Sequence, residues 1–198
     1  MPLPDSINAA MFSSLAVATP ATALTANELS ALNTQAEFEA LFLTEINNVG
    51  GTKAAGAFVM VDSIKEFPEM GIPANIVKVP LYGKKVSGQV NAQADAPTLD
   101  FTLAHIEAHW AKATSILGAL VGTGQQVVIR FSSLSAEPAS NASTTVGQGS
   151  VPNASWYWVG RLEARTVVTS LSDANTSKLT LSMQTDFFGA YTAATVAI

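Results

Sequence analysis

The sequence predicts a mainly β protein with one packed helix, an α+β chain built as a β-sandwich or barrel-like fold. Three patterns point there. Leu99, Phe101 and Leu103 alternate with Asp100 and Thr102, the signature of a half-buried strand. Lys178 to Phe188 repeats it at greater length, with Leu179, Leu181, Met183 and Phe187 opposite Lys178, Thr180, Ser182, Gln184 and Asp186. Between them, Ile106, Trp110, Ala113, Leu117 and Leu120 recur at spacings of four and three, an apolar helical stripe that Gly122 and Gly124 terminate.

The remaining elements follow in chain order. Residues 1–50 read as an N-terminal arm or helical extension, with Pro2, Pro4 and Pro20 in an Ala/Ser/Thr-rich start. Ala9 to Ala23 has the apolar tint of a signal peptide, but Asp5 precedes it and no Lys or Arg does, which argues against one. Thr25-Ala26-Asn27-Glu28 is a capping box, in which hydroxyl and carboxylate each satisfy an orphan N–H. Phe38, Leu41, Phe42 and Glu45 fit a helical face, so 35–47 is expected to be helix, although Phe38, Ala40 and Phe42 also alternate as a strand would.

From residue 51 to 198 strands are expected to dominate. Ala57 to Val61, Ser63 to Phe67 and Asn75 to Val79 are short runs rich in strand formers, each bounded by Gly or Pro. Residues 82–96 are polar and rich in Gly, Lys and Gln, as an extended exposed loop or long hairpin requires. The apolar stripe predicts a helix near 105–121, followed by a strand from Gln126 to Phe131. Residues 132–154 carry few large apolar groups and read as a mobile or partner-ordered loop. Trp156 to Thr169 is a long strand; Trp156 and Trp158 share one face and Tyr157 takes the other. Ser172 to Ser177 supplies the turn that makes a hairpin with the closing strand. Phe101, Leu103, Ile106, Trp110, Leu117, Leu120, Trp156 and Trp158 form the expected core.

Composition bounds the function. Charged residues make up 13% of the chain, about half the usual share of a soluble domain. Hydrophobic residues make up 48%. Obligate interfaces lose charge in this way, so part of the outer surface is expected to be covered by other chains. Ten scattered basic residues and a net charge of −5 exclude a tight grip on nucleic acid, which needs clustered cations. Cysteine is absent, removing disulfides and thiolate chemistry. No run of about 18 apolar residues is present, so no membrane-spanning helix is expected.

No catalytic constellation stands out. His105, Glu107 and His109 are the one metal-like group, but on a helix Glu107 points away from the His pair and no third ligand is evident. Gly-x-Ser-x-Gly is missing, and Gly83-Lys84-Lys85 and Gly122-Thr123-Gly124 lack the rest of a phosphate loop. The expectation is a non-enzyme that holds neither cofactor nor metal. The closing strand pairs an apolar face with a nearly uncharged polar one. That face suits a wide wet lumen, a subunit seam or a solvated sandwich surface.

The order of these elements resembles the major tail tube protein family of long-tailed, siphovirus-type bacteriophages, related to contractile-tail tubes and the type VI secretion tube. The likeness spans about residues 55–190. Phe58 to Ile64 with Phe67-Pro68 is similar to the family's opening strand, and Lys84 to Ala96 to its extended loop. Asp100 to Leu103, the stripe through Leu120 and the strand Val127 to Phe131 follow in the family's order. Val159 to Glu163 and the strand ending at Phe187-Phe188-Gly189 resemble its terminal hairpin. The resemblance implies hexameric rings stacked head to tail into the virion's tail tube, a conduit for DNA assembled in the host cytoplasm. It implies as partners further copies of the chain, a tape measure protein and a tail terminator, with DNA passing transiently. Lys84, Lys85, Gln89, Asn91, Gln93 and Asp95 would make inter-ring contacts, and Gln184 and Asp186 would face the bore. A terminator or other ring of the same fold, a monomeric β-sandwich binding module and an unrecognised enzyme are the competing readings.

Overall fold

The computed structural model describes residues 13–69, 75–79, 88–92, 98–134, 153–169 and 174–192. The fold is mostly β. Among the described residues nine strands form one sheet: β1 (Ser13–Ala18), β2 (Thr44–Glu45), β3 (Ala57–Met60), β4 (Ile64–Glu66), β7 (Thr98–Ala104), β8 (Val127–Leu134), β9 (Asn153–Val168), β10 (Thr176–Met183) and β11 (Phe188–Thr192). Their order is β2-β3-β1-β8-β9-β10-β7-β4, with β11 also against β9. A separate antiparallel hairpin pairs β5 (Asn75–Val79) with β6 (Gly88–Ala92).

The sheet buries both faces, but unevenly. Its inner face gathers Leu15 and Val17 of β1, Val59 of β3, Leu99, Phe101 and Leu103 of β7, Ile129 of β8, Trp158 and Leu162 of β9, and Leu179, Leu181 and Met183 of β10. Strands from nearly opposite ends of the sheet share this one cluster, so the sheet must curl around it. Phe67, just after β4, helps to close the cup, packing edge-on against Phe101 and Phe131 at 5.8 and 5.5 Å.

On the outer face, Ala16, Ala18, Phe58, Val128, Tyr157 and Val159 are covered by the strap holding α1 (Ala26–Ala31) and α2 (Gln35–Glu39). Both short helices open with a capping box. Thr25 N–H donates to Glu28 Oε2 at 2.7 Å, and Thr34 N–H to Glu37 Oε2 at 3.0 Å. The Thr25 N–H and then its hydroxyl at Glu28, and the Asn33 N–H and then the Thr34 hydroxyl and N–H at Glu37, hold both carboxyls below their usual range. The second box, Thr34-Gln35-Ala36-Glu37, is as legible in sequence as the first. Phe38 leads the packing, stacking on Tyr157 with ring centroids 5.1 Å apart.

Several sequence expectations are corrected here. The boundary at residue 50 cuts through the sheet, because β1 lies between β3 and β8 and supplies four consecutive buried residues. The segment 35–47 is one turn of helix and then a short strand, since Thr44 and Glu45 pair in parallel with β3. The strand expected through Phe188 stops at Met183. Gln184 N–H and Thr185 Oγ1 bond the C=O and N–H of Val159, so the chain bulges without orphaning β9. The loop expected over 132–154 has strand at both ends, up to Leu134 and from Asn153; residues 135–152 lie outside the described residues.

The long helix near 105–121 is replaced by a 3-10 turn, Glu107–Trp110, and a five-residue α3, Ile116–Leu120. The cause is a polar hub. Asn48 is buried, its Nδ2 donating to His109 C=O at 2.6 Å and its Oδ1 accepting from Ser115 Oγ at 3.0 Å and Leu117 N–H at 2.9 Å. Ser115 caps α3 through Gly118 N–H instead of continuing a helix. The two pieces fold back so closely that a Cβ on Gly118 would stand 2.4 Å from Trp110 C=O. The stripe therefore divides: Trp110, Leu117 and Leu120 are buried, whereas Ile106 and Ala113 are exposed.

Candidate assembly interface

The strap covers only part of the outer face. β9 is 16 residues long, and β8 pairs with it only from Asn153 to Gly160. Beyond that point the sheet narrows to a panel of four strands, the second half of β9, then β10, β7 and β4. Each adjacent pair is antiparallel, so directions alternate across the panel. Its inner face holds Leu162, Leu179, Leu181, Leu99 and Leu103. Its outer face carries Arg161 and, linked by side-chain bonds, Asp100, Thr102, Glu163, Thr180 and Ser182. Thr180 Oγ1 donates to Asp100 Oδ1 at 2.7 Å, Thr102 Oγ1 to Glu66 Oε2 at 3.4 Å, and Ser182 Oγ to Glu163 Oε1. Lys178 Nζ meets Asp100 Oδ2 at 2.7 Å. That contact and the Thr180 hydroxyl draw the Asp100 carboxyl below its ordinary value. The polar face read from the sequence is thus a hydroxyl-rich surface with one closed ion pair at its centre.

Both edges of the panel are open among the described residues. β4 ends the strand order and pairs only with β7. On the other side, one bond from Gly122 N–H to Leu162 C=O, at 2.8 Å, covers the step past Gly160. From Glu163 to Val168 no strand pairs with that side of β9. Unpaired backbone donors and acceptors invite another strand. The β4 edge is short and bulged, with Ser63 before it at a φ of 63°. Val167 and Val168 are exposed on the β9 edge.

The sequence-predicted residues fall as follows. Gln89 and Asn91 lie in β6, in register with Lys78 and Ile76 of β5. Lys84, Lys85, Gln93 and Asp95 lie outside the described residues. Gln184 is exposed just past β10, its Nε2 3.4 Å from Ser182 Oγ, which places it at the margin of the polar face. Asp186 is exposed in the bulge between β10 and β11 and so leaves the strand register. Trp156 is half-buried beside Phe131, with ring centroids 5.5 Å apart, and Trp158 is fully buried. Sequence reasoning missed Arg130 altogether. It is buried on the outer face, its guanidinium 4.8 and 4.9 Å from the ring centres of Phe42 and Phe58. Burial lowers its affinity for the proton, while Tyr157, Glu45 and Glu39 favour the charged form.

His105 and Glu107 meet, Nε2 to Oε2 at 3.4 Å, but His109 does not join them. His105 Nδ1 meets an Arg165 guanidinium nitrogen at 2.8 Å, and the same guanidinium bonds Glu107 at 3.1 Å. His109 instead faces Asp62, 3.7 Å away. Among the described residues no three potential ligands gather as a metal site.

Glu45 and Asp62 have raised proton affinities. Burial is the main cause for each, with repulsion from Asp62 added at Glu45 and attraction from His109 opposing at Asp62. The folded chain therefore holds these protons at a pH where the unfolded chain has released them. Stability should rise as pH falls from 7 toward the ordinary carboxylate range near 4.5. Below that range the trend reverses, as Asp100, Glu28 and Glu37 lose their favoured charged forms. In denaturant melts of unassembled protein, Glu45→Gln with Asp62→Asn should flatten the rise between pH 7 and 5; an unchanged slope contradicts it.

No protein-family model matches the chain, and no curated protein matches it in sequence.

Proposed function

We propose that this chain is a structural subunit that closes into rings and stacks into a hollow tube, acting as the tail tube of a long-tailed phage. The observation that carries this reading is the four-stranded panel with an open edge on either side. Because its strands alternate in direction, rotating one copy about a ring axis sets β4 against the free edge of β9 antiparallel. Every copy then completes its neighbour, and the contact is heterologous and closes. Six copies would supply about two dozen strands, enough for a barrel that keeps a wet bore.

The division of the outer surface supports the same arrangement. The strap shields the half of the sheet where large apolar groups lie, including Phe58, Tyr157 and Val159. The panel is left bare with hydroxyls and a self-paired Lys178–Asp100. A surface of this kind can line a channel without binding the phosphates that pass, since a grip on DNA needs unneutralised clustered cations. Negative-stain images of purified protein test the proposal: hollow rods or stacked rings are expected. A chain that stays monomeric at every concentration and salt would end it.

A further inference from the structure

The charges of the panel are distributed so as to define the seam between copies. At its centre Lys178 and Asp100 satisfy each other at 2.7 Å. At its two margins four charged residues have no ion-pair partner among the described residues. On the β4 edge these are Lys65 and Glu66, both exposed. On the β9 edge they are Arg161 and Glu163, just where β8 has left off. Among the described residues, Glu66 and Glu163 accept only from the hydroxyls of Thr102 and Ser182. Among the described residues the Nε of Arg161 is buried with no hydrogen-bond partner, an arrangement that costs free energy unless an acceptor arrives.

All four belong to the outer face. Arg161 is in register with Ser182, and Glu163 takes that residue's hydroxyl bond. Ile64 turns inward, and the bulge then sets Lys65 and Glu66 together against Thr102. We infer that, within the ring proposed above, Lys65 pairs with Glu163 of the next copy and Glu66 with its Arg161. Chain direction makes the match specific. Antiparallel pairing along the free stretch sets Lys65 beside Glu163, and Glu66 then lies just past its start and meets Arg161 through its side chain alone, because Gly122 N–H already holds the Leu162 C=O between them. A parallel seam would set Lys65 beside Arg161 and Glu66 beside Glu163, like against like. The edge charges thus select the partner, a second copy of this chain, and also its direction and register.

The inference rests on the ring reading, and a charge-swap cycle separates the two. Lys65→Glu and Glu163→Lys, made singly, are expected to raise the concentration needed for assembly at low salt by roughly tenfold or more. Combining them should restore assembly to within about twofold of the parent. Glu66→Arg with Arg161→Glu should behave likewise. Unchanged denaturation midpoints of the monomers show that each variant folds. If the single variants assemble like the parent, or the double no better than the singles, the seam pairing is overturned while the ring reading stands. If the parent itself never assembles, both fall.

Discussion

Trp158→Ala should remove about 3–5 kcal/mol of stability, the range for deleting a large buried aromatic. A domain holds only about 5–15 kcal/mol in total, so a large unfolded fraction should follow at moderate denaturant. Trp158 is the largest fully buried side chain, set against Phe187 with ring centroids 5.0 Å apart and in register with Ile129. It stands where the strap-covered half of β9 gives way to the open panel, next to Gly160. A Cβ on Gly160 would meet Ser182 C=O at 2.5 Å and the indole nitrogen at 3.1 Å. The indole N–H has no hydrogen-bond partner among the described residues, so Trp158→Phe loses volume without breaking a bond. Its cost should stay near 1–2 kcal/mol. Denaturant titration monitored by far-ultraviolet circular dichroism distinguishes the two. Equal losses for Ala and Phe would contradict the packing argument.

Replacing residues 75–92 with a short Gly/Ser linker is expected to abolish rods while leaving the denaturation midpoint of the body unchanged. The β5–β6 hairpin pairs only with itself among the described residues and contributes no strand to the nine-stranded sheet. A lone two-stranded hairpin is marginal in water, so a surface outside the sheet is needed to complete it. In the tube reading that surface is the next ring. β4 and β7, which flank the hairpin in sequence, would still pair through Ile64 and Leu103. Electron microscopy and sedimentation should therefore find single rings or monomers and no rods. Rods of normal length would remove the hairpin from the stacking contact.

The capping boxes at Thr25 and Thr34 show how local sequence rules carry into structure. Each needs only four consecutive residues, and each forms as its pattern demands. The stripe from Ile106 to Leu120 shows the opposite. Its spacing is helical, yet a single buried side chain from far upstream, Asn48, bonds His109, Ser115 and Leu117 and folds the segment in two. Periodicity records which side chains seek burial. It does not record which distant polar group will claim the backbone between them.

The amino-acid pattern alone determined the β-rich class, the alternation that buries Leu99, Phe101 and Leu103 and then Leu179, Leu181 and Met183, and the shortage of charge. These are properties of neighbours along the chain, set by the two-residue repeat of a strand and by composition. Only the tertiary structure decided that β1 enters the middle of the sheet, that Arg130 is enclosed between two phenylalanine rings, and that β9 outruns β8 to leave a panel whose two edges are open among the described residues. Each depends on pairing between segments far apart in sequence. The free energy of such pairing resides in contacts that no local window contains.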